Sequence, residues 1–384
     1  MSTVLQAFFW ATAAVVAYVY FGYPALLWLL CRFRRPRPLP AAEGFEPTVS
    51  LIIAAYNEEQ VIAQKIENSL ALDYPKEKLE IIVVSDGSTD RTADLVRGYT
   101  AQGVRLVDLP QNVGKASAQN EAVKRATGDV LLFTDANVSL LRDAARQLVK
   151  HFQDATVGCV IGKVAYTNED ETGVSEGEGF YWRYELFLRG KESYLGNLVA
   201  GSGPIMAFRR TLFDPLDPAV SEDFVLPMKA AIKGYRTVYE PGAISRERLF
   251  QVSPRDMLKT RTRTTTLDTR SVFLCRALLN PLRYPLYAWG LVSHKLLRWL
   301  VPYFLIALLA VNLLLLDQSF YRLALALQLA FYALAAAGYL WQKRGKPPRI
   351  LGLPFSFCLV NGAALVGVAR FALGKKAGRW MPVR

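Results

Sequence analysis

The chain has 384 residues, a formal net charge of +13 and 52% hydrophobic residues. That length suits one catalytic domain with further segments, and the apolar share is too high for a purely soluble enzyme, so a membrane portion is implied. The basic residues gather beside apolar runs (Arg32, Arg34, Arg35 and Arg37; Lys343, Arg344, Lys346 and Arg349; Lys375, Lys376 and Arg379), as cytoplasmic flanks facing anionic membrane lipid do. No recognition motif accompanies the charge, which argues against nucleic acid as a partner. Cys31, Cys159, Cys275 and Cys358 have no CxxC spacing and read as free thiols in a reducing compartment. His151 and His294 belong to no metal-spaced motif and read as surface or interface residues.

From Ala7 to Leu30 the chain carries no charge, which is long enough to cross a bilayer, and no small-residue cleavage site follows. The Arg32–Arg37 flank sets the C-terminal end of this anchor in the cytoplasm. Prolines 36, 38, 40 and 47 stiffen the linker, so the folded domain is expected to start near Thr48. Strand patterns then cover 49–55, 80–85, 104–109 and 129–135, alternating with helix patterns at 58–71, 89–101, 114–127 and 139–152. This alternation predicts a doubly wound, Rossmann-like α/β sheet. Ser88 is placed to cap the helix beginning at Thr89, and Gly128 to end the third helix.

Residues 153–250 mix strand-like stretches with a charged aromatic helix near 176–190 and a helix at 224–233 that Gly234 terminates. Beyond Arg255 the pattern turns basic and amphipathic, and 281–298 reads as an interfacial helix. Runs 299–316 and 322–341 can span a bilayer. Run 350–373 is interrupted by Pro354, Asn361, Gly362, Gly367 and Arg370, and is expected to enter and return as a re-entrant hairpin. The expected organisation is an anchor at 1–31, a basic proline-rich linker at 32–47, a catalytic domain at 48–254, interfacial helices at 255–298, membrane helices at 299–374 and a basic tail at 375–384.

In an open parallel sheet, ligands sit beyond the carboxyl ends of the strands. Polar clusters stand there in order: Ala55-Tyr56-Asn57-Glu58-Glu59, Ser85-Asp86-Gly87-Ser88-Thr89-Asp90 and Phe133-Thr134-Asp135-Ala136-Asn137. Asn112-Val113-Gly114-Lys115, Gly201-Ser202-Gly203 and Ser221-Glu222-Asp223 complete the set. Over roughly 48–270 the chain thereby resembles the inverting family-2 glycosyltransferases of the membrane-bound group that includes cellulose, chitin and hyaluronan synthases. The resemblance implies a GT-A catalytic domain with N- and C-terminal transmembrane and interfacial helices.

Tyr56 can stack on a flat base, and Glu58 and Asp86 can accept hydrogen bonds from uracil or ribose. Asn57-Glu58-Glu59 can equally cap the following helix. The resemblance makes Asp86 the nucleotide-binding carboxylate. Asp135 and Asn137 stand where the family carries an Asp-x-Asp motif for Mg²⁺ or Mn²⁺, and Asn137 leaves that site one negative charge short. Lys115 is a candidate for the diphosphate, with a solvated surface role as the alternative.

Inverting transfer needs one general base for the acceptor hydroxyl, a role the resemblance gives to Asp223. Glu222 beside it supplies a second carboxylate, and two held close favour proton uptake; the pair can also begin a helix. The family's Gln-x-x-Arg-Trp is absent. Arg263 matches its arginine, for diphosphate or for lipid phosphates, and Thr264 replaces its tryptophan. Gly201, Ser202 and Trp182 are the candidates for holding the acceptor.

The expectation is transfer from a UDP-sugar to a membrane-held glycan or polyprenyl-linked acceptor, in exopolysaccharide or glycolipid synthesis. The chain would sit in a bacterial inner membrane with its catalytic domain cytoplasmic, alone or with a partner subunit of a polysaccharide assembly system. The alternatives are a processive synthase that translocates its own polymer and an inactive nucleotide-sugar-binding scaffold.

Overall fold

The computed structural model describes residues 2–34, 44–167, 176–196, 198–201, 203–248, 253–342, 345 and 347–375, with side chains from 182 onward in the third of these segments that carries a helix. Strands β1 (Val49–Ala55), β2 (Leu79–Ser85), β3 (Val104–Asp108) and β4 (Val130–Asp135) run parallel, with β1 between β2 and β4. β5 (Val138–Leu140), β6 (Val157–Thr167), β7 (Met206–Arg209) and β8 (Arg236–Arg248) extend the sheet, whose order is β3-β2-β1-β4-β7-β6-β8-β5. All seven residues of β1 are buried. Ile52 and Ala54 point into one core and Val49, Leu51, Ile53 and Ala55 into the other, as strands covered on both faces require.

Helices α3 (Ile62–Leu70), α4 (Thr92–Arg97), α5 (Lys115–Val123) and α6 (Ala144–Val149) connect these strands. Chain order reverses direction at the β1/β4 boundary, so the carboxyl ends of β1 and β4 frame the binding crevice. Three local expectations shift. The first helix starts at Ile62 rather than 58, because Asn57 takes φ +53° and the 57–59 turn is hydrogen-bonded to the 88–92 loop. Ser88 accepts from the Asn57 N–H instead of capping a helix, and Asp90 accepts from the Thr92 N–H where α4 begins. The predicted helix at 139–152 is partly strand, because Val138–Leu140 pairs antiparallel with β8.

α7 (Glu176–Tyr194), α8 (Glu222–Ile232) and α9 (Pro254–Leu274) close one side of the domain. Gly234 ends α8 in the left-handed region at φ +83°, as expected. Among the described residues, four helices are long and apolar enough to cross a membrane: Thr3–Phe33, Pro285–Leu313, Ser319–Trp341 and Arg349–Ala372. The first joins α1 (Ser2–Ala17) and α2 (Tyr23–Phe33) through a π turn, and the second joins α10 (Pro285–Gly290) and α11 (Leu297–Leu313) the same way. α12 (Ser319–Trp341) and α13 (Arg349–Ala372) are the others.

Within the segment expected as an interfacial helix, 281–298, residues 285–298 form the first half of a long helix, Pro285–Leu313. Its polar residues turn inward. His294 Nδ1 pairs with Glu192 at 2.7 Å and Nε2 meets Glu185 at 3.3 Å, Arg298 bonds Glu185, and the Tyr23 hydroxyl donates to Glu192 at 2.8 Å. The His294 and Glu192 side chains are fully enclosed.

The re-entrant expectation for 350–373 is also corrected, since α13 is one continuous helix. Asn361 donates to the Phe357 carbonyl one turn back, and Gly367 lets α13 lie against α9, where Thr266 Oγ1 donates to the Gly367 carbonyl at 3.2 Å. Packing on protein thus accommodates the residues that suggested a break. The four cysteines are free thiols, as expected. The basic tail beyond Lys375 lies outside the described residues.

Candidate active site

The crevice at the ends of β1 and β4 is built from short-range backbone fixtures. Asp86, 2% exposed at the end of β2, accepts the Val113 N–H at 2.7 Å and the Gly114 N–H at 2.9 Å. This holds the loop that launches α5, and so aims Lys115 at the first position of that helix. Glu58 is buried at 4% exposure with its N–H on Thr92 Oγ1 at 2.8 Å, and half-buried Tyr56 lies beside it at the end of β1.

Lys115 is no surface residue. Its Nζ lies 2.6 Å from Asp135 Oδ1 and bonds Glu222 as well, tying the end of β4 to the start of α8. Burial opposes its charge, but the Asp135 and Glu222 carboxylates more than offset that and hold it protonated. Burial raises the Glu222 carboxyl above its ordinary range, with Lys115 opposing and Asp223 adding to the rise.

Asp223 is fixed through both oxygens. Its Oδ2 accepts the Gly203 N–H at 3.1 Å and its Oδ1 accepts the Ser221 hydroxyl at 2.6 Å. Gly201 packs backbone to backbone against it: a Cβ there would stand 1.8 Å from the Asp223 carbonyl oxygen, so a side chain is excluded. Gly203 lies against Lys115 and Asp223: a Cβ on it would meet Lys115 Nζ at 3.5 Å and Asp223 Oδ2 at 3.6 Å, in ordinary contact. Ser202 lies outside the described residues. Arg263, on α9, is half-buried near the same acids; burial lowers its pKa, and Glu222 and Asp223 oppose that.

The donors suit a hard cation: Asp135 at the end of β4, exposed Asn137 two residues on, and Glu247 of β8, whose Oε1 accepts Asn137 Nδ2 at 3.4 Å. Glu247 is pushed up to about 7 by burial and by the Asp135 charge. The acids Asp135, Glu222, Asp223 and Glu247 outnumber the cations Lys115 and Arg263. Among the described residues no group of three or more His, Cys, Asp or Glu is placed to hold an ion by itself.

Trp182 packs on the β6 strand, whose Tyr166 is the register partner of Glu247. Its indole donates to the Val164 carbonyl at 3.3 Å, meets Tyr166 edge-on at 5.2 Å and carries Arg189 at 5.2 Å from its ring centre. Three residues near the site escaped the motif reading: Glu247, Asp268 and Lys65. Buried Lys65 donates to Thr134 Oγ1 and the Val138 carbonyl, both at 2.9 Å, beneath Asp135. Burial lowers it to about 7. A lysine at a helical core position was its one available signal.

Residues 50–216 match the family described as Glycosyl transferase family 2. An N-acetylglucosaminyltransferase of Rhizobium sp. (strain N33) is 29% identical over 256 residues, which cover 61% of this chain and 56% of that protein. A poly-beta-1,6-N-acetyl-D-glucosamine synthase of Staphylococcus aureus (strain COL) is 29% identical over 202 residues, covering 51% and 48%. The chain spans about half the length of the curated relatives it matches. In fold it is like the solved mannosyltransferase PcManGT from Pyrobaculum calidifontis in complex with GDP-Man and Mn2+, with a TM-score of 0.71 at 23% identity over 97% of this chain and 100% of that one. Residues 50–216 thus match a Glycosyl transferase family 2 domain, in a chain whose fold is like that of the solved mannosyltransferase and which carries helices long and apolar enough to cross a membrane.

Proposed function

We propose that this protein moves a sugar, with inversion, from a UDP-sugar to a membrane-held glycan or polyprenyl-linked acceptor in exopolysaccharide or glycolipid assembly. The observation that carries the reading is the convergence of Lys115, Asp135, Glu222 and Asp223 at the β1/β4 crevice, with Asp223 gripped by Gly203 and Ser221. Asp223 takes the acceptor hydroxyl proton as that oxygen attacks the anomeric carbon opposite the leaving diphosphate. Lys115 and Arg263 face the departing phosphates. Asp135 and Asn137 hold a divalent cation, Mg²⁺ or Mn²⁺, which when bound neutralises diphosphate charge. Tyr56, Glu58 and Asp86 form the nucleotide end of the crevice, and Gly201 and Ser202 border the acceptor.

We place the catalytic domain, 48–254, on the cytoplasmic face of a bacterial inner membrane, because the Arg32–Arg37 flank joins it to the first membrane helix. Both curated relatives carry N-acetylglucosamine in their names, so UDP-N-acetylglucosamine heads the donor panel. Purified protein incubated with single UDP-sugars, Mn²⁺ and membrane lipid extract should release UDP with one donor and yield a product of matching mass. Absence of UDP release with every donor, under conditions where UDP binds, would favour the scaffold reading. Long polymer at low turnover would favour a processive synthase despite Thr264.

A further inference from the structure

α3 is bonded to two separate parts of the active site and reaches a third. Its start is seated on the nucleotide end, where the Val61 and Ile62 N–H groups donate to the Glu58 carbonyl at 3.0 and 2.9 Å. Lys65 and Asn68, three residues apart and so on one face, then hold the segment that carries Asp135 and Asn137. Lys65 Nζ donates to Thr134 Oγ1 and to the Val138 carbonyl, which bracket that turn, each at 2.9 Å. Asn68 exchanges two bonds with Leu140, its Nδ2 donating to the carbonyl at 2.9 Å and its Oδ1 accepting the N–H at 2.8 Å. Lys65 is 2% exposed and Thr134 0%, so solvent does not compete for these bonds.

The Thr134 hydroxyl carries the connection further. It has one hydrogen, which goes to the Pro204 carbonyl at 2.9 Å, because a carbonyl only accepts. Lys65 is therefore the donor to Thr134, and an ammonium or a neutral amine has hydrogens enough for both of its bonds. Pro204 has no N–H, so its carbonyl is the backbone group by which that residue can be fastened. The residue before it is Gly203, whose N–H donates to Asp223 Oδ2 at 3.1 Å. One path thus runs from Lys65 Nζ through Thr134 Oγ1 and the 203–204 segment to Asp223.

We propose that Lys65 and Thr134 are positioning residues, which fix the separation between the 135–137 turn and Asp223 from the buried side of the crevice. In an inverting displacement the attacking oxygen, the anomeric carbon and the leaving diphosphate stand in line. The base at one end and the cation at the other must therefore keep a set distance. Thr134 Oγ1 joins the two ends without touching the reacting atoms. The inference rests on the reading of Asp223 as the base and of Asp135 as a cation ligand.

The experiment measures kcat and donor KM by UDP release, with Mn²⁺ and the donor that the native protein turns over. It compares the full-length protein with Thr134→Val, Thr134→Ser, Lys65→Met, the Lys65→Met/Thr134→Val double variant and Asp223→Asn. Thr134→Val keeps the shape and removes the hydroxyl. It should lower kcat by about tenfold, inside the ~100-fold that a displacement of about 1 Å can cost, with donor KM little changed. Thr134→Ser keeps the hydroxyl and loses a methyl, and should retain most of the native kcat; a packing role would rank the two the other way. Lys65→Met and Thr134→Val act on one path, so the double variant should lose less than the product of the two losses, and a full product would overturn the shared path. Native kcat in Thr134→Val, or Thr134→Ser as slow as Thr134→Val, with Asp223→Asn inactive, overturns this inference alone. Turnover by Asp223→Asn, or none by the native protein with any donor, overturns the underlying reading and this inference with it. Because Lys65→Met leaves the Val138 carbonyl buried without its donor and can unfold the chain, the Thr134 pair carries the decision.

Discussion

Two groups of buried charge lie in this molecule, and they are built to different ends. Between α2, α7 and the α10–α11 helix, Glu185 and Glu192 are matched by His294 and Arg298, and the side chains involved are 0–13% exposed. At the β1/β4 crevice, Lys115 serves Asp135 and Glu222 at once, and Asp135 keeps 24% exposure beside two further acids. The first group has its partners and no opening, so it fastens elements. The second has surplus acid and an open face, so it is a place where something cationic and something anionic can bind. Surplus and access, rather than burial, distinguish a site from a staple.

Four substitutions break or sharpen that contrast. Asp223→Asn should lower kcat by about 10²–10⁴-fold while thermal unfolding and UDP affinity, read by calorimetry, stay near the native values. Glu192→Ala should do the reverse. Removing one partner of a buried ion set costs about 3–5 kcal/mol, so its unfolding temperature in detergent should drop sharply while the protein that remains folded still binds UDP. Lys115→Met should tighten Mn²⁺ binding in the absence of nucleotide by about tenfold, well inside the ~4 kcal/mol that a unit charge supplies at 4 Å near a surface, and should weaken UDP binding; electron paramagnetic resonance of free Mn²⁺ reads the first effect.

The smallest effect belongs to a third group, Glu240 with His151 at 2.7 Å and Lys150 at 2.8 Å. Burial opposes Glu240 ionisation, but the His151, Lys150 and Gly242 bonds outweigh it and hold the carboxyl down at about 2. A depressed carboxyl stabilises the fold above its unfolded value, about 4.3, and that stability is lost as pH falls toward 2. Glu240→Gln should therefore flatten the acid limb of stability between those values. An unchanged limb would count against the assignment.

What was legible follows from chain distance. Strands β1, β2 and β4 could be read because each is a largely apolar run closed by a polar cluster; Asp86 follows β2 and Asp135 ends β4, while Asp223 opens α8. Glu247 could not, because it reaches Asn137 only through β8, and β8 meets β5 across 110 residues of sequence. The inward partners of the 281–298 segment were hidden for the same reason. Its cations looked like a polar face for lipid headgroups, but their partners, Glu185 and Glu192, lie 102 to 113 residues upstream. Asn137 and Thr264 stand as departures from the family pattern that the sequence alone exposes.

The contact of Thr266 with Gly367 bears on where this protein can be cut. α9 contributes Arg263 and Asp268 to the cleft, and its other side, with Thr262, Thr265 and Thr266 buried, rests on α13. A soluble fragment ending near 254 would retain every strand and Asp223 yet lack one wall of its own cleft. Extending it to 274 would restore the wall as an unsupported helix with a bare threonine face. The unit to isolate for enzymology is thus the domain together with its apolar helices, in detergent or lipid.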